Sequence, residues 1–365
     1  MLKKLFSNAI IRLVFGIAIG LIIGQYFNNV SIQVVLSLKH ILGQIIFFMI
    51  PLIVIGYVAT SITKLAGTSS KVFVFALLLA YGASVLAALF AMLIGYGLIP
   101  NLGVERTADA LNEIPEMIFK FDIPPIFSVM TALFLAFMLG LGTLWSKAQN
   151  IVPILDELKN IVSILIKKIL IPIIPIFVAL NFTVLSYEGS IQKHLPVFAK
   201  VVLIVIIAHI VWLLFLYIIA FIITKKNPLP LLKAYIPAYL TAMGTMSSMA
   251  TLGITMDAVK KSKFLKEDLS NFTIPFLASI HLCGSVITIV FFALSVSYIH
   301  YGSLPDINSV ILFVFLLAVF AISAPGVPGG TVIASLGLIT SVLGFDESGL
   351  ALLLSIFALQ DSLEH

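Results

Sequence analysis

Thr241-Ala-Met-Gly-Thr-Met-Ser-Ser-Met-Ala-Thr-Leu-Gly253 and Ser323-Ala-Pro-Gly-Val-Pro-Gly-Gly-Thr-Val-Ile-Ala-Ser335 interrupt an otherwise apolar C-terminal half. Both lie at bilayer-like hydropathy, and neither reads as a plain spanning helix. Backbone leaves a helix at membrane depth only where protein or a water-filled cavity satisfies its polar groups. Paired broken segments therefore point to a binding site at the membrane midplane. In the second stretch, two prolines and three glycines fall within residues 325–330. They break the hydrogen-bond ladder and permit unusual dihedrals. An extramembrane turn is the competing reading, but this one holds no charge and no Asn or Asp. For the first stretch the competitor is small-residue helix packing, which enriches the same residue types.

The surroundings fix the class. The chain has 365 residues, is 61% hydrophobic and 10% charged, and has a mean hydropathy of +1.19. A soluble domain of this size carries more charge. Apolar runs recur along the whole length, so the expected fold is an all-α polytopic membrane protein. Short alternating segments of a β-barrel are absent from the sequence. The net charge of +5 is too small for a nucleic-acid partner and is read through its loop placement. Cys283 stands alone, so no intramolecular disulfide forms. The apolar run after Met1-Leu-Lys-Lys reaches Tyr26 without a small-residue cleavage site and reads as a first spanning helix. Leu363-Glu364-His365 reads as vector-derived, with the natural chain expected to continue beyond Ser362.

Spans are expected at about 8–26, 41–63, 72–99, 124–145, 152–185 and 197–224. A broken segment follows at 229–257, then a span at 270–298, a second broken segment at 308–343, and a last helix from 347. Between the third and fourth spans lies an acidic linker with Glu105, Asp109, Glu113, Glu116 and Asp122. With the N-terminus inside, Lys3, Lys4, Lys64, Lys71, Lys147 and Lys159 fall on the cytoplasmic side. So do Lys225, Lys226, Lys233 and the run from Lys260 to Lys266, while Glu188, Asp306, Asp346 and Glu347 fall outside. This balance requires 229–257 to enter and leave from the cytoplasm and 308–343 from the outside. Opposed re-entrant hairpins are the mark of an inverted repeat.

Between the two hairpins lies Ser279-Ile-His-Leu-Cys-Gly-Ser285, midway along a span. Two readings of His281 stand here: a titrating group lining a ligand path, or a histidine hydrogen-bonded to a neighbouring helix. For His209 the packing reading is favoured. Lys167 and Lys168, near Pro172 and Pro175, read as snorkelling from a long tilted helix. The chain has no Walker A loop, no HExxH, no Cys/His cluster and no convincing nucleophile elbow, so an enzyme is not expected.

Gly244-Thr-Met-Ser-Ser-Met-Ala-Thr-Leu-Gly-Ile-Thr-Met256 resembles the serine-rich first hairpin of the dicarboxylate/amino acid:cation symporter family. Ala324-Pro-Gly-Val-Pro-Gly-Gly330 resembles its second hairpin, and Phe357-Ala-Leu-Gln-Asp-Ser362 the opening of its last helix. The resemblance implies a glutamate-transporter-like inverted-repeat fold of elevator type, a homotrimer in the cell inner membrane. Scaffold helices would come from 1–69 and 124–196, with a third helix and outside linker at 70–123. The transport core would be 197–365. The implied function is secondary, cation-coupled symport of amino acids or dicarboxylates; a channel-like protein reusing the fold is the alternative. Thr245, Ser247 and Ser248 would hold the substrate carboxylate, and Val327, Pro328, Gly329 and Gly330 would gate it. The family's Asn-Met-Asp-Gly-Thr sodium motif aligns with His281-Leu-Cys-Gly-Ser285. His281, Cys283 and Ser285 thus stand at the cation-coupling position with donors poorly suited to sodium. The coupling ion is therefore Na+ or H+, with no other cofactor. Because the chain stops before the last helix's substrate-binding positions, weak or no transport is expected of these 365 residues.

Overall fold

The computed structural model describes residues 9–60, 62–63, 71–103, 115–189, 191–245, 248, 251–262, 267–323 and 330–360. Among them are fourteen α-helices and no strand. In chain order these are α1 (Ala9–Gly24), α2 (Asn29–Val54), α3 (Lys71–Leu98), α4 (Val129–Ser146) and α5 (Ile151–Leu165). Then come α6 (Ile171–Tyr187), α7 (Ile191–Thr224), α8 (Leu229–Thr245), α9 (Leu252–Ser262) and α10 (Glu267–Ile280). The last four are α11 (Cys283–Tyr301), α12 (Ile307–Ser323), α13 (Gly330–Leu343) and α14 (Glu347–Gln360). Among the described residues, five helical stretches are long and apolar enough to cross a membrane: Asn29–Ala59, Val74–Asn101, Ile151–Tyr187, Pro196–Thr224 and Thr273–Tyr301. The chain is a multi-pass membrane protein.

The expected second and fourth spans are displaced. The second begins at Asn29, not 41, because the Asn28 side chain caps it by accepting the Ser31 N–H at 2.9 Å. Lys39 and His40 lie inside the helix. The fourth begins at Val129, not 124. Pro124-Pro125 cannot enter a helix interior, and Ser128 caps the start by accepting the Thr131 N–H. The expected 152–185 span is observed as α5 and α6 joined by a π-helical turn, Ile166–Leu170, that presents Lys167 and Lys168 outward.

α11 is the structural centre. It is apolar on every side, and Val286, Phe292, Ala293 and Val296 have no exposed surface. A helix apolar all round belongs in the interior. It packs chiefly on α3 and also on α7, α13 and α14. Lipid is as apolar as these side chains, so close packing rather than water exclusion favours the contact. α1 lies along α6 through glycines: a Cβ on Gly20 would overlap the Ala179 carbonyl oxygen, and one on Gly24 that of Thr183. α8 packs on α9, and α12 on α13. The link between α12 and α13, residues 324–329, lies outside the described residues.

Candidate functional site

The path from α10 to α11 breaks within the apolar stretch Thr273–Tyr301. Leu282 leaves helical geometry with φ −108° and ψ 48°. The ladder resumes when the Val286 N–H donates to the Leu282 carbonyl at 3.1 Å. Polar side chains gather at the break. Cys283 is buried, and its Sγ lies 3.5 Å from His281 Nε2. Ser84 of α3 and Trp212 of α7 approach the same thiol. Ser285 is also buried. The α7 side chain His209 places Nε2 3.1 Å from the Gly284 carbonyl oxygen and 3.1 Å from Thr288 Oγ1. That carbonyl lies just past the helix break, so the histidine ties α7 to α11 there. His209 Nδ1 is buried with no hydrogen-bond partner among the described residues. The donors here are imidazole nitrogen, thiol and hydroxyl.

The expected substrate-binding residues are only partly visible. Ser247, Val327, Pro328 and Gly329 lie outside the described residues. Thr245 ends α8 and Gly330 begins α13. The Ser248 carbonyl accepts the Thr251 hydroxyl at 2.8 Å, which tightens the start of α9.

A second polar cluster was not legible in the sequence. His40 of α2 is 5% exposed. Its Nδ1 lies 3.0 Å from Glu347 Oε2 and its Nε2 3.0 Å from Asp122 Oδ1. A neutral imidazole has one N–H, so hydrogen bonds on both sides require one further proton in the cluster. Gln44 donates to Glu347 Oε1 and accepts the Ile123 N–H at 3.2 Å. One turn earlier, Ser37 Oγ accepts the Ile118 N–H at 3.1 Å. The face of α2 thus holds the 115–128 linker and the first turn of α14 together. Next to it, a cavity of about 190 Å3 separates Pro51 and Phe47 of α2 from Pro125, Ser128 and the α13 residues Thr340 and Ser341.

Asp346 caps α14, accepting the Gly349 N–H and the Tyr301 hydroxyl at 2.8 Å each. Burial disfavours its charged form. The Gly349 N–H, the Tyr301 hydroxyl and His300 outweigh that and hold the carboxyl below the ordinary aspartate value.

Residues 9–364 match the sequence profile described as "Sodium:dicarboxylate symporter family". The chain belongs to the sodium:dicarboxylate symporter family. Mouse excitatory amino acid transporter 5 is 28% identical over 153 residues, 42% of this chain and 27% of that protein. Human excitatory amino acid transporter 2 is 23% identical over 231 residues, 62% of this chain and 40% of that protein. Human neutral amino acid transporter B(0) is 28% identical over 163 residues, 44% of this chain and 30% of that protein. Each alignment thus takes in less than half of the relative's length. The helix break at 281–282 lies within the matched residues. Within it, this family member carries an imidazole and a thiol.

Proposed function

We propose that this chain belongs to a secondary, cation-coupled symporter of small carboxylate-bearing solutes, amino acids or dicarboxylates, and is not an enzyme. The observation that carries the reading is the symporter-family match across residues 9–364, on a structure whose central spanning helix breaks at 281–282. In this proposal α8–α9 and α12–α13 are the two re-entrant hairpins, entering from the cytoplasm and from the outside. Thr245, Ser247 and Ser248 hold the substrate carboxylate, because freed N–H groups and hydroxyls at a hairpin tip favour an anion. Val327, Pro328, Gly329 and Gly330 form the gate. The assembly is a homotrimer working by an elevator motion, with the N-terminus in the cytoplasm of the inner membrane. His281, with Cys283 and Ser285, stands at the coupling position and favours a proton over sodium.

The test is thermal unfolding of the full-length protein with a panel of amino acids and dicarboxylates, each with and without sodium. Only ligands of the folded state raise its midpoint. A carboxylate-bearing solute is expected to shift it, and indifference to the whole panel would sink the substrate class. Proton coupling has its own test in proteoliposomes under a proton gradient alone. Uptake by His281→Ala equal to wild type would remove His281 from the coupling role.

A further inference from the structure

His40 sits where α2, the 115–128 linker and the first turn of α14 meet. Its ring is buried, and both nitrogens face carboxylates, Nδ1 toward Glu347 and Nε2 toward Asp122. A carboxylate only accepts, and a neutral imidazole has a single N–H. With one N–H, one of the two contacts sets a nitrogen lone pair against a carboxylate oxygen. A second ring proton turns both contacts into donated, charge-assisted bonds. The ring is the place for that proton. An ordinary imidazole holds a proton to higher pH than an ordinary carboxyl. Both carboxylates also reach water, with side chains 59% and 41% exposed for Asp122 and Glu347.

The charged neighbours allow a positive ring. On α2, Lys39 precedes His40 and lies in the field of Glu188, Glu347 and Asp346. The linker adds Lys120, 3.6 Å from Asp122. From α11, His300 and Tyr301 both reach Asp346. Tyr187 at the end of α6 donates to Asn29. α4 and α13 also pack on α2 and contain no titratable side chain. α5 carries Asp156, Glu157 and Lys159 but meets the far end of this span, beside Gly56. Around His40, the carboxylates of Asp122, Glu188, Asp346 and Glu347 thus stand against the ammonium groups of Lys39 and Lys120.

The two contacts of the ring differ in what backs them. Glu347 is also held to α2 by Gln44. The ion pair of Asp122 with Lys120 stays within the linker and gives Asp122 no second tie to α2. Loss of the ring proton therefore releases Asp122 to water and leaves Glu347 in place. We infer that His40 is a proton-binding site whose occupied state clamps the 115–128 linker to α2. It uses none of the residues at the 281–285 break or the hairpin tips. The linker amides of Ile118 and Ile123 report the clamp, because they donate to Ser37 and Gln44 on either side of His40 along α2.

The experiment is amide hydrogen exchange of the purified protein, read by mass spectrometry on peptides spanning 115–128. Rates from pH 5 to 8, the range in which histidine ordinarily titrates, are divided by those of the same peptides unfolded at each pH. In wild type, protection of the linker should fall about tenfold across this range, the scale of one hydrogen bond to a charged group. Glu347→Gln should abolish the pH step and keep the protection. Its amide donates to Nδ1 while the neutral ring donates from Nε2 to Asp122, so no second ring proton is required. Asp122→Asn should do the same with the tautomer reversed. His40→Ala should show the low protection at every pH. His300→Gln, which removes the other nearby imidazole, should retain the step. A flat wild-type profile overturns the proposal. So does a full step in both amide variants, or loss of the step in His300→Gln. If Glu347→Gln and Asp122→Asn both lose protection at every pH, the contacts are structural without a bound proton, and the proposal fails.

Discussion

His40 Nδ1 lies 3.0 Å from Glu347 Oε2, joining the middle of α2 to the first turn of α14 across 307 residues of sequence. The same ring reaches Asp122 with its other nitrogen. One buried side chain therefore sets the distance between α2, the acidic linker and the last described helix. His40→Leu is expected to lower stability by about 1–3 kcal/mol, the cost of leaving hydrogen-bonding groups unpaired at a partly buried site. Asp122→Asn should cost less, because the Asp122 side chain is 59% exposed. Unfolding midpoints for the single variants and a His40/Glu347 double-mutant cycle check this. Strict additivity would show that the two residues do not act together.

Gly20 and Gly24 let α1 rest directly on the backbone of α6. Gly20→Val forces the helices apart and is expected to cost about 1–3 kcal/mol. Gly97, in α3, has open space where a Cβ would stand. Gly97→Ala should therefore be neutral or stabilise by up to about 1 kcal/mol through helix propensity. Thermal unfolding of the two variants side by side reads the contrast. Equal effects would mean that close approach is not the reason for the glycine at 20.

These two contacts mark where the sequence stops being readable. Hydropathy and lysine placement are local properties, and they led to the all-helical class and most of the spans. α2 starts a dozen residues before the expected 41 and takes in Lys39 and His40, two residues that hydropathy counts against a span. What makes His40 acceptable there are carboxylates from Asp122 and Glu347, and nothing local in the sequence announces them. Hydropathy places Pro124 in the fourth span because it ignores the missing N–H, whereas the helix starts at Val129. The break at 281–282 was legible, since Gly284 and its polar neighbours sit in an apolar run. The role of His209 at that break was not, because the Gly284 carbonyl it meets comes from another helix. The hairpin-tip residues Ser247 and Val327–Gly329 lie outside the described residues, so their placement still rests on the family resemblance.

Asn181 Nδ2 donates to Ser355 Oγ at 2.8 Å, a buried hydrogen bond between α6 and α14. Interhelical hydrogen bonds inside membrane proteins contribute about 0.6 kcal/mol on average and at most about 1.7 kcal/mol. Asn181→Leu should lose an amount in that range, and Ser355→Ala a similar or smaller one. The double variant should be no worse than Asn181→Leu alone, because the bond can be lost only once. Additive losses in that cycle would show that the two residues contribute through separate contacts.

Asp346 gives the fold a defined acid sensitivity. Its carboxyl titrates lower in the folded protein than the ordinary value of 3.8 expected in the unfolded chain. A depressed carboxyl pKa stabilises the charged folded state. The contribution is fully present above the unfolded value and is lost as pH falls through the lower folded one. Stability measured from pH 6 downward should therefore decline faster in wild type than in Asp346→Asn, which cannot titrate. Tyr301→Phe removes one donor and should narrow the difference, leaving the Gly349 N–H and His300 in place. The side chain is 61% exposed, so the effect should shrink as salt is raised. Parallel acid-unfolding curves for wild type and Asp346→Asn at low salt would show that the capped carboxylate does not couple to folding.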